Sequence, residues 1–434
     1  MDKEKTSIEK SRKLINSEAF KERHRVSESH FTRTRKLFFS LLIIVIIRKS
    51  VKSMQLVLNE LSLELDQVPV SVGAFTKARA KLKHTAFIEL NREAVVNVCY
   101  GNDHFKTYKG FRVLGIDGSK LRLPDMFDVI NEFGQISYRS NSNQPKGQHA
   151  YGLASVMYDV LNRIAVTSVL AGARSYEVDL AVKHLEQTQE NDLLLCDREY
   201  PSYHFLATLT NKCRHFVIRC SAKSFSTARA MLKGKGNESQ IVTLKVDPRR
   251  LKKIQALRLP QQITVRFVRV TLETGETEIL VTSLADEEIW PTKDFKEIYW
   301  LRWGTEGFYD ILKTRLELEN FTGQTAESIY QDFYATVYLT GLESILTVDV
   351  NVELSEKEVC YPQQVNRIVS FNAIKNQAVE ILFGNGETDA MIERLHQLFL
   401  TNPTCLRSNR IVPRQKSSSR KQLDYWKRRR KHCY

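Results

Sequence analysis

The sequence predicts an α/β protein: a mixed sheet in the middle of the chain, flanked by helical regions. Three observations carry that prediction. From Phe31 to Tyr100 the apolar residues recur at helical spacing, the period of an amphipathic helix. From Phe111 short apolar runs bounded by turn residues follow, first back to back and then alternating with helical stretches. That is the texture of strands that pair in hairpins before they pair through crossovers. From Glu297 to about Val348 the helical spacing returns. With 434 residues, 42% of them apolar and 26% charged, the chain has an ordinary globular composition and room for two or three cores.

Taken in order, residues 1 to about 30 are charged and without periodicity, so the reading there is a mobile segment or a frayed helix. "LFFSLLIIVII" (Leu37–Ile47) is read as a buried helix, with an interfacial segment as the other reading. Its eleven residues fall short of the ~20 that span a bilayer. The long polar stretch before it is unlike a secretory signal. "VSVGAFTKARAKL" starts a helix at Ser71 as N-cap, with Ala74, Phe75, Ala78 and Leu82 on an apolar stripe. Lys77, Arg79, Lys81 and Lys83 decorate its other sides, suiting a DNA groove, a phosphate backbone or plain solvent. These elements make an N-terminal helical domain over 1–105, expected to bind DNA.

"FRVLGID" and "LRLP" read as two strands around a Gly118-Ser119 turn, and "YGLASVMYDVLNRIAVTSVLAG" as a hairpin. The helix "SYEVDLAVKHLEQ", the buried strand "DLLLCD", a second helix and the strand "HFVIRC" complete 106–221. Strand patterns dominate 222–296, with a turn at Gly275, so this stretch is a β-rich insertion. Helices occupy 297–348. A looser helical region and a basic tail fill 349–434.

Charge narrows the function. Lys and Arg number 65 against 50 Asp and Glu, a formal +15. From Arg407 onward eleven Lys or Arg face a single Asp. A globular body with such a tail points to a polyanionic partner, nucleic acid before a membrane. The seven cysteines never form C-x-x-C and share no ligand spacing with the ten histidines. That argues against zinc and a disulfide framework and fits a reducing cytoplasm.

Two strands share a plan: "VLGID" and "LLLCD" each run apolar and end on a carboxylate, Asp117 and Asp197. Strands buried on both faces read as continuous apolar runs, and open α/β sheets place ligand chemistry at strand ends. One such Asp more often caps a helix or braces a turn. Two of them, followed by a helix bearing Glu306, resemble a Mg²⁺ site, because Mg²⁺ takes a few carboxylates plus substrate phosphate. On that helix, within "YWLRWGTEGFYDILK", Tyr299, Arg302, Glu306 and Lys313 stand three, four and seven residues apart. Those steps place all four in a stripe about 60° wide on a regular helix. Alone, such a stripe reads as a solvated face with an Arg302–Glu306 surface pair.

The three blocks together resemble the DDE transposases of bacterial insertion sequences, in the insertion-sequence-4-like group with the Tyr-x2-Arg-x3-Glu-x6-Lys signature. Tyr299, Arg302, Glu306 and Lys313 match it at every spacing, "GIDGSKLRLPD" is similar to the first-aspartate block, and "CDREYPSYHF" to the second. "LELENFTGQTAESIYQDFYATVYLTGLE" is similar to the segment that follows the glutamate helix. The resemblance runs from about Ser71 to Gly341. One departure stands out: many relatives have glycine after "DR", where this chain has Glu199.

The resemblance implies an RNase H-like catalytic core in two parts, 106–221 and 297–348, with the insertion between them. It implies that Asp117, Asp197 and Glu306 hold two Mg²⁺ ions, with Mn²⁺ as a substitute. Tyr299, Arg302 and Lys313 would grip a phosphate of the cleaved end, with Trp303 as a stacking surface. The implied activity is cut-and-paste transposition through a DNA hairpin, by a homodimer acting on terminal inverted repeats and target DNA in the nucleoid, without a membrane. The competing reading is a non-catalytic DNA-binding protein that keeps the fold.

Overall fold

The structure is a computed structural model that describes residues 2–33, 35–101, 104–139, 145–272, 275–384 and 386–406. The basic tail from Arg407 lies outside the described residues. The chain forms two compact units: one of residues 1–102, 123–129 and 312–434, the other of 103–122 and 130–311.

The second unit is built on one mixed sheet. Its described strands are β1 (Arg112–Arg122), β2 (Gln135–Arg139), β3 (Pro145–Asp159), β4 (Ile164–Gly172), β5 (Asp192–Cys196), β6 (His215–Cys220), β7 (Ser239–Lys245), β8 (Gln262–Thr271) and β9 (Thr277–Thr282). The order is β2-β3-β1-β5-β6-β9-β8-β7, with β4 also paired to β3. β1 runs antiparallel to β3 and parallel to β5, and β5 is parallel to β6. The 222–296 strands continue this sheet, because β9 pairs antiparallel with β6.

Side chains alternate along each strand and so sort onto two faces. Leu114, Ile116, Leu194, Cys196 and Ile218 fill one core. Val113, Leu193, Leu195 and Val217 fill the other, against Phe295, Ile298 and Tyr299 of the helix Asp294–Trp300. Two aliphatic layers are why β5 is buried throughout.

The expected Gly118-Ser119 turn is absent. β1 runs unbroken to Arg122, because β3 pairs with it residue for residue as far as Tyr151. Gly275 does turn the chain between β8 and β9, at φ 80°. The helical stripe is also not regular. After Trp300 the amides of Arg302, Gly304 and Thr305 bond three residues back. A helix resumes at Trp303–Asp310, and Ile311–Arg315 is a π-turn. The helix is wound tighter before Glu306 and looser after it.

The first unit is helical. Its centre is Ala326–Leu346, almost wholly buried and opened by a capping box between Thr325 and Ser328. Phe39–Ile47 is buried at every position, in line with the buried-helix reading. Among the described residues no helix is long and apolar enough to cross a membrane. Residues 3–24 are not a frayed segment: Lys3–Ile15 and Glu18–His24 are capped by Asp2 and Ser17. Arg79 does not decorate a surface. It is buried and bonds Thr322 Oγ1, the Ser328 carbonyl and Asp332 Oδ1, each at 2.7 Å.

Candidate functional site

Where the parallel pairing of β1, β5 and β6 stops, a row of charges follows. Ile116 pairs with Cys196, and Cys196 with Ile218. One residue further along each strand stand Asp117, Asp197 and Arg219. Adjacent strands lie about 5 Å apart, so the register alone makes these three neighbours. Alternation turns Asp117 and Asp197 toward the face of Val113 and Leu195, where the helix of Glu306 packs.

Close approach of that helix depends on a missing side chain. A Cβ at Gly115 would sit 2.1 Å from Thr305 Oγ1. One turn on, the Tyr309 hydroxyl donates to the carbonyls of Asp117 (2.9 Å) and Ala154 (3.0 Å). The glutamate helix is thereby tied to the strand that carries the first aspartate.

Arg302 links the three carboxylates electrically. Only 2% exposed, it donates through Nη2 to Glu306 Oε1 at 2.8 Å and also acts on Asp117 and Asp197. Burial works against its charge, but Tyr299, Glu306 and Asp197 outweigh that and hold its pKa above the ordinary value. Its guanidinium lies 5.4 Å from the Tyr299 ring centre and 5.1 Å from that of Trp303. Its Nε is buried without a hydrogen-bond partner. This is no solvated surface pair.

Tyr299 is 5% exposed, and its hydroxyl faces Asp197 Oδ1 at 3.4 Å. Asp197 is held by Arg219 Nη2 at 2.9 Å, and Arg219 also pairs with Glu278. Among the described residues no cation pairs with Asp117 in this way. Burial pushes its pKa up to about 7; the Gly118 N–H and Arg302 pull against this, while Glu177 and Asp197 add to it.

The sequence reading missed Arg219, Tyr309 and Glu177. A Cβ on Gly118 would meet Glu177 Cδ at 2.8 Å, so this carboxylate presses on the backbone beside Asp117. Burial raises its pKa as well. Arg219 carried a usable signal, since "HFVIRC" has the same plan of an apolar run broken at the strand end. Glu177 carries no such signal, because it lies in the first turn of a helix, where acids are common. Glu199 is exposed and pairs with Arg198 at 3.8 Å. Trp290 is core, whereas Trp300 and Trp303 are exposed. Lys313, two residues past Ile311, is grouped with the helical unit.

Among the described residues no three His, Cys, Asp or Glu side chains converge closely enough to hold a metal ion. The donor chemistry nonetheless suits a hard divalent cation: oxygen ligands only, with Asp117 short of positive charge.

The profile of a family described as "Transposase DDE domain" matches residues 108–339. The transposase InsG of insertion sequence element IS4 from Escherichia coli K12 is 26% identical over 238 residues, 54% of this chain and 51% of that protein. The chain thus spans about half the length of this curated relative. A cryo-EM structure of the piggyBac transposase synaptic complex with hairpin DNA aligns at 12% identity and a TM-score of 0.43, over 97% of this chain and 86% of that one. With its matched region covering more than half of its length and spanning Asp117, Asp197 and Glu306, the chain belongs to the DDE transposase family.

Proposed function

We propose that this chain cleaves and joins insertion-sequence ends by phosphoryl transfer at Asp117, Asp197 and Glu306, on an RNase H-like core. The observation that carries the reading is the strand register, with Asp117 beside Asp197, together with an arginine that acts on both and bonds Glu306. Strand pairing supports an RNase H-like centre, with β3 and β1 antiparallel and β1, β5 and β6 parallel.

Asp117, Asp197 and Glu306 would hold two divalent ions, Mg²⁺ with Mn²⁺ as substitute, which supply charge neutralisation and an activated oxygen nucleophile. The chain's own groups do the rest. Tyr309 fixes the backbone of Asp117 through its peptide oxygen. Arg302, fixed in its charged form, is suited to a backbone phosphate of the cleaved end, with Tyr299 and Lys313 as further contacts. Trp303, open on one side, offers a ring for an unpaired base. The freed 3′-hydroxyl would attack the opposite strand, forming a hairpin and releasing the flanking DNA; water would then reopen the hairpin, and the regenerated 3′-hydroxyl would attack the target. Two copies of the chain would hold two ends of double-stranded DNA.

Asp117→Asn, Asp197→Asn and Glu306→Gln should each abolish Mg²⁺-dependent nicking of an end-containing duplex and leave DNA binding within a few-fold of wild type. Wild-type nicking in excess EDTA would sink the reading. DNA binding by all four proteins without cutting by any would return the chain to the non-catalytic alternative.

A further inference from the structure

The helical unit contains a cavity of about 600 Å³ between the segments 29–33 and 35–37 on one side and 69–81 on the other. Five cations line it: Arg33, Arg35, Lys36, Lys77 and Lys81. No Asp or Glu does. Lys77 lies on the helix Val72–Arg79, which also presents Ala74 and Ala78 to the cavity, and Lys81 follows just past its C-terminal end. Arg79, on the other side, anchors that helix through Asp332.

Elsewhere in this unit several solvent-facing cations are paired: Arg23 with Glu89, Lys52 with Glu60, Arg394 with Glu380. Among the described residues none of the five side chains in the cavity has a hydrogen bond or an ion pair. Five like charges in one concavity repel, and no acid among the described lining residues offsets them. The lining adds the hydroxyls of Ser29, Thr32 and Ser71 but no Asn or Gln. Cations with hydroxyls hold phosphate oxygens, whereas Asn and Gln are the amides that read base edges.

We propose that this cavity seats backbone phosphates of duplex DNA, as a contact distinct from the carboxylate site. The proposal rests on DNA being the substrate, and its test is separable from that of the cleavage chemistry. In the full-length chain, Lys77→Ala with Lys81→Ala removes two phosphate contacts. The slope of log K against log[salt] for duplex binding should become shallower by about 1.8, so that between 50 and 200 mM salt the wild type loses about twelvefold more affinity than the variant. The loss should be alike for end-containing and unrelated duplexes, and Lys293→Ala should change nothing. Thermal stability of the double variant should hold or rise as repulsion falls.

An unchanged slope in a folded double variant would overturn the proposal. So would a thermal shift of the wild type with inorganic phosphate that the variant lacks, if DNA binding were unaffected; the cavity would then serve a free anion. A wild type that binds no duplex would overturn it as well. A wild type that binds with the expected slope but never cuts would leave the cavity assigned to DNA and sink the proposed chemistry alone.

Discussion

Two buried arginines, one in each unit, show how the same side chain serves a scaffold or a site. Arg79 is surrounded by acceptors that match its fork: the side chains of Gln331, Thr322 and Asp332 and the carbonyl of Ser328. Asp332 in turn accepts from the amide of Thr322 at 2.7 Å. Arg302 is as buried but less satisfied. It bonds Glu306, keeps an orphaned Nε, and acts on Asp117, for which no ion pair is made among the described residues. A completed network fixes a fold. An incomplete one with excess negative charge around it is what a site for a cationic and phosphate-bearing ligand looks like before the ligand arrives.

The largest expected effect tests the scaffold half of that contrast. Arg79→Ala should destabilise the chain by about 3–5 kcal/mol, because it strands a buried Asp332. Arg79→Met paired with Asp332→Leu should recover much of the loss, since an apolar pair of similar volume leaves no orphaned charge. Urea unfolding of the three proteins measures this. A single variant as stable as wild type would mean that the pair is not the anchor its geometry describes.

The site half predicts a different outcome. Arg302→Ala should leave stability within about 1 kcal/mol of wild type, because its removal strands no fully buried partner: the Glu306 side chain remains 34% exposed. It should weaken binding to cleaved ends by about 1.5–3 kcal/mol, the range of a charge-assisted phosphate contact, and spare intact duplex. Lys313→Ala should do the same if it shares that phosphate. Equal loss of stability in Arg79→Ala and Arg302→Ala would erase the distinction between the two regions.

The parts of this contrast differ in how readable they were. Asp117 and Asp197 were legible because a carboxylate ending a buried apolar run is rare chemistry in a conspicuous place. Glu306 and Arg302 were legible by spacing, although the helix that carries them is not regular. The burial of Arg302 could not be read, since it is set by tertiary packing, and spacing along one helix does not report which side of it is covered. Arg79 was misread as surface for the converse reason: its partners lie some 250 residues away in sequence. The N-terminal helices escaped notice because part of the face they bury is polar, with Ser7, Ser11 and Glu4 among the buried residues of the first. Helical periodicity in hydrophobicity cannot report a face that buries serine. Continuity of β1 past Gly118 is likewise decided by its partner β3, so a glycine-serine pair that reads locally as a turn stays extended.

The smallest expected effect sharpens the contrast from the side of the carboxylates. Asp117 holds its proton up to about pH 7 in the folded, metal-free chain, against an ordinary value of 3.8 once unfolded. Between those values the folded state binds the extra proton, so stability falls as pH rises through the window and levels off above it. Complete exclusion of water would make this about 4 kcal/mol. Asp117 is only half-buried, and the Gly118 N–H and Arg302 already oppose the shift, so about 1–2 kcal/mol is expected. Asp117→Asn, which cannot ionise, should therefore gain on wild type from pH 4 to 7 and stay ahead at pH 8 in EDTA. Other titrating groups contribute to both proteins and cancel in the difference. Added Mg²⁺ at pH 8 should close the gap by stabilising wild type alone, since a bound cation supplies the charge that Asp117 lacks. Unfolding curves that run parallel with pH, and that Mg²⁺ moves equally, would mean that the strain around Asp117 is already relieved within the chain.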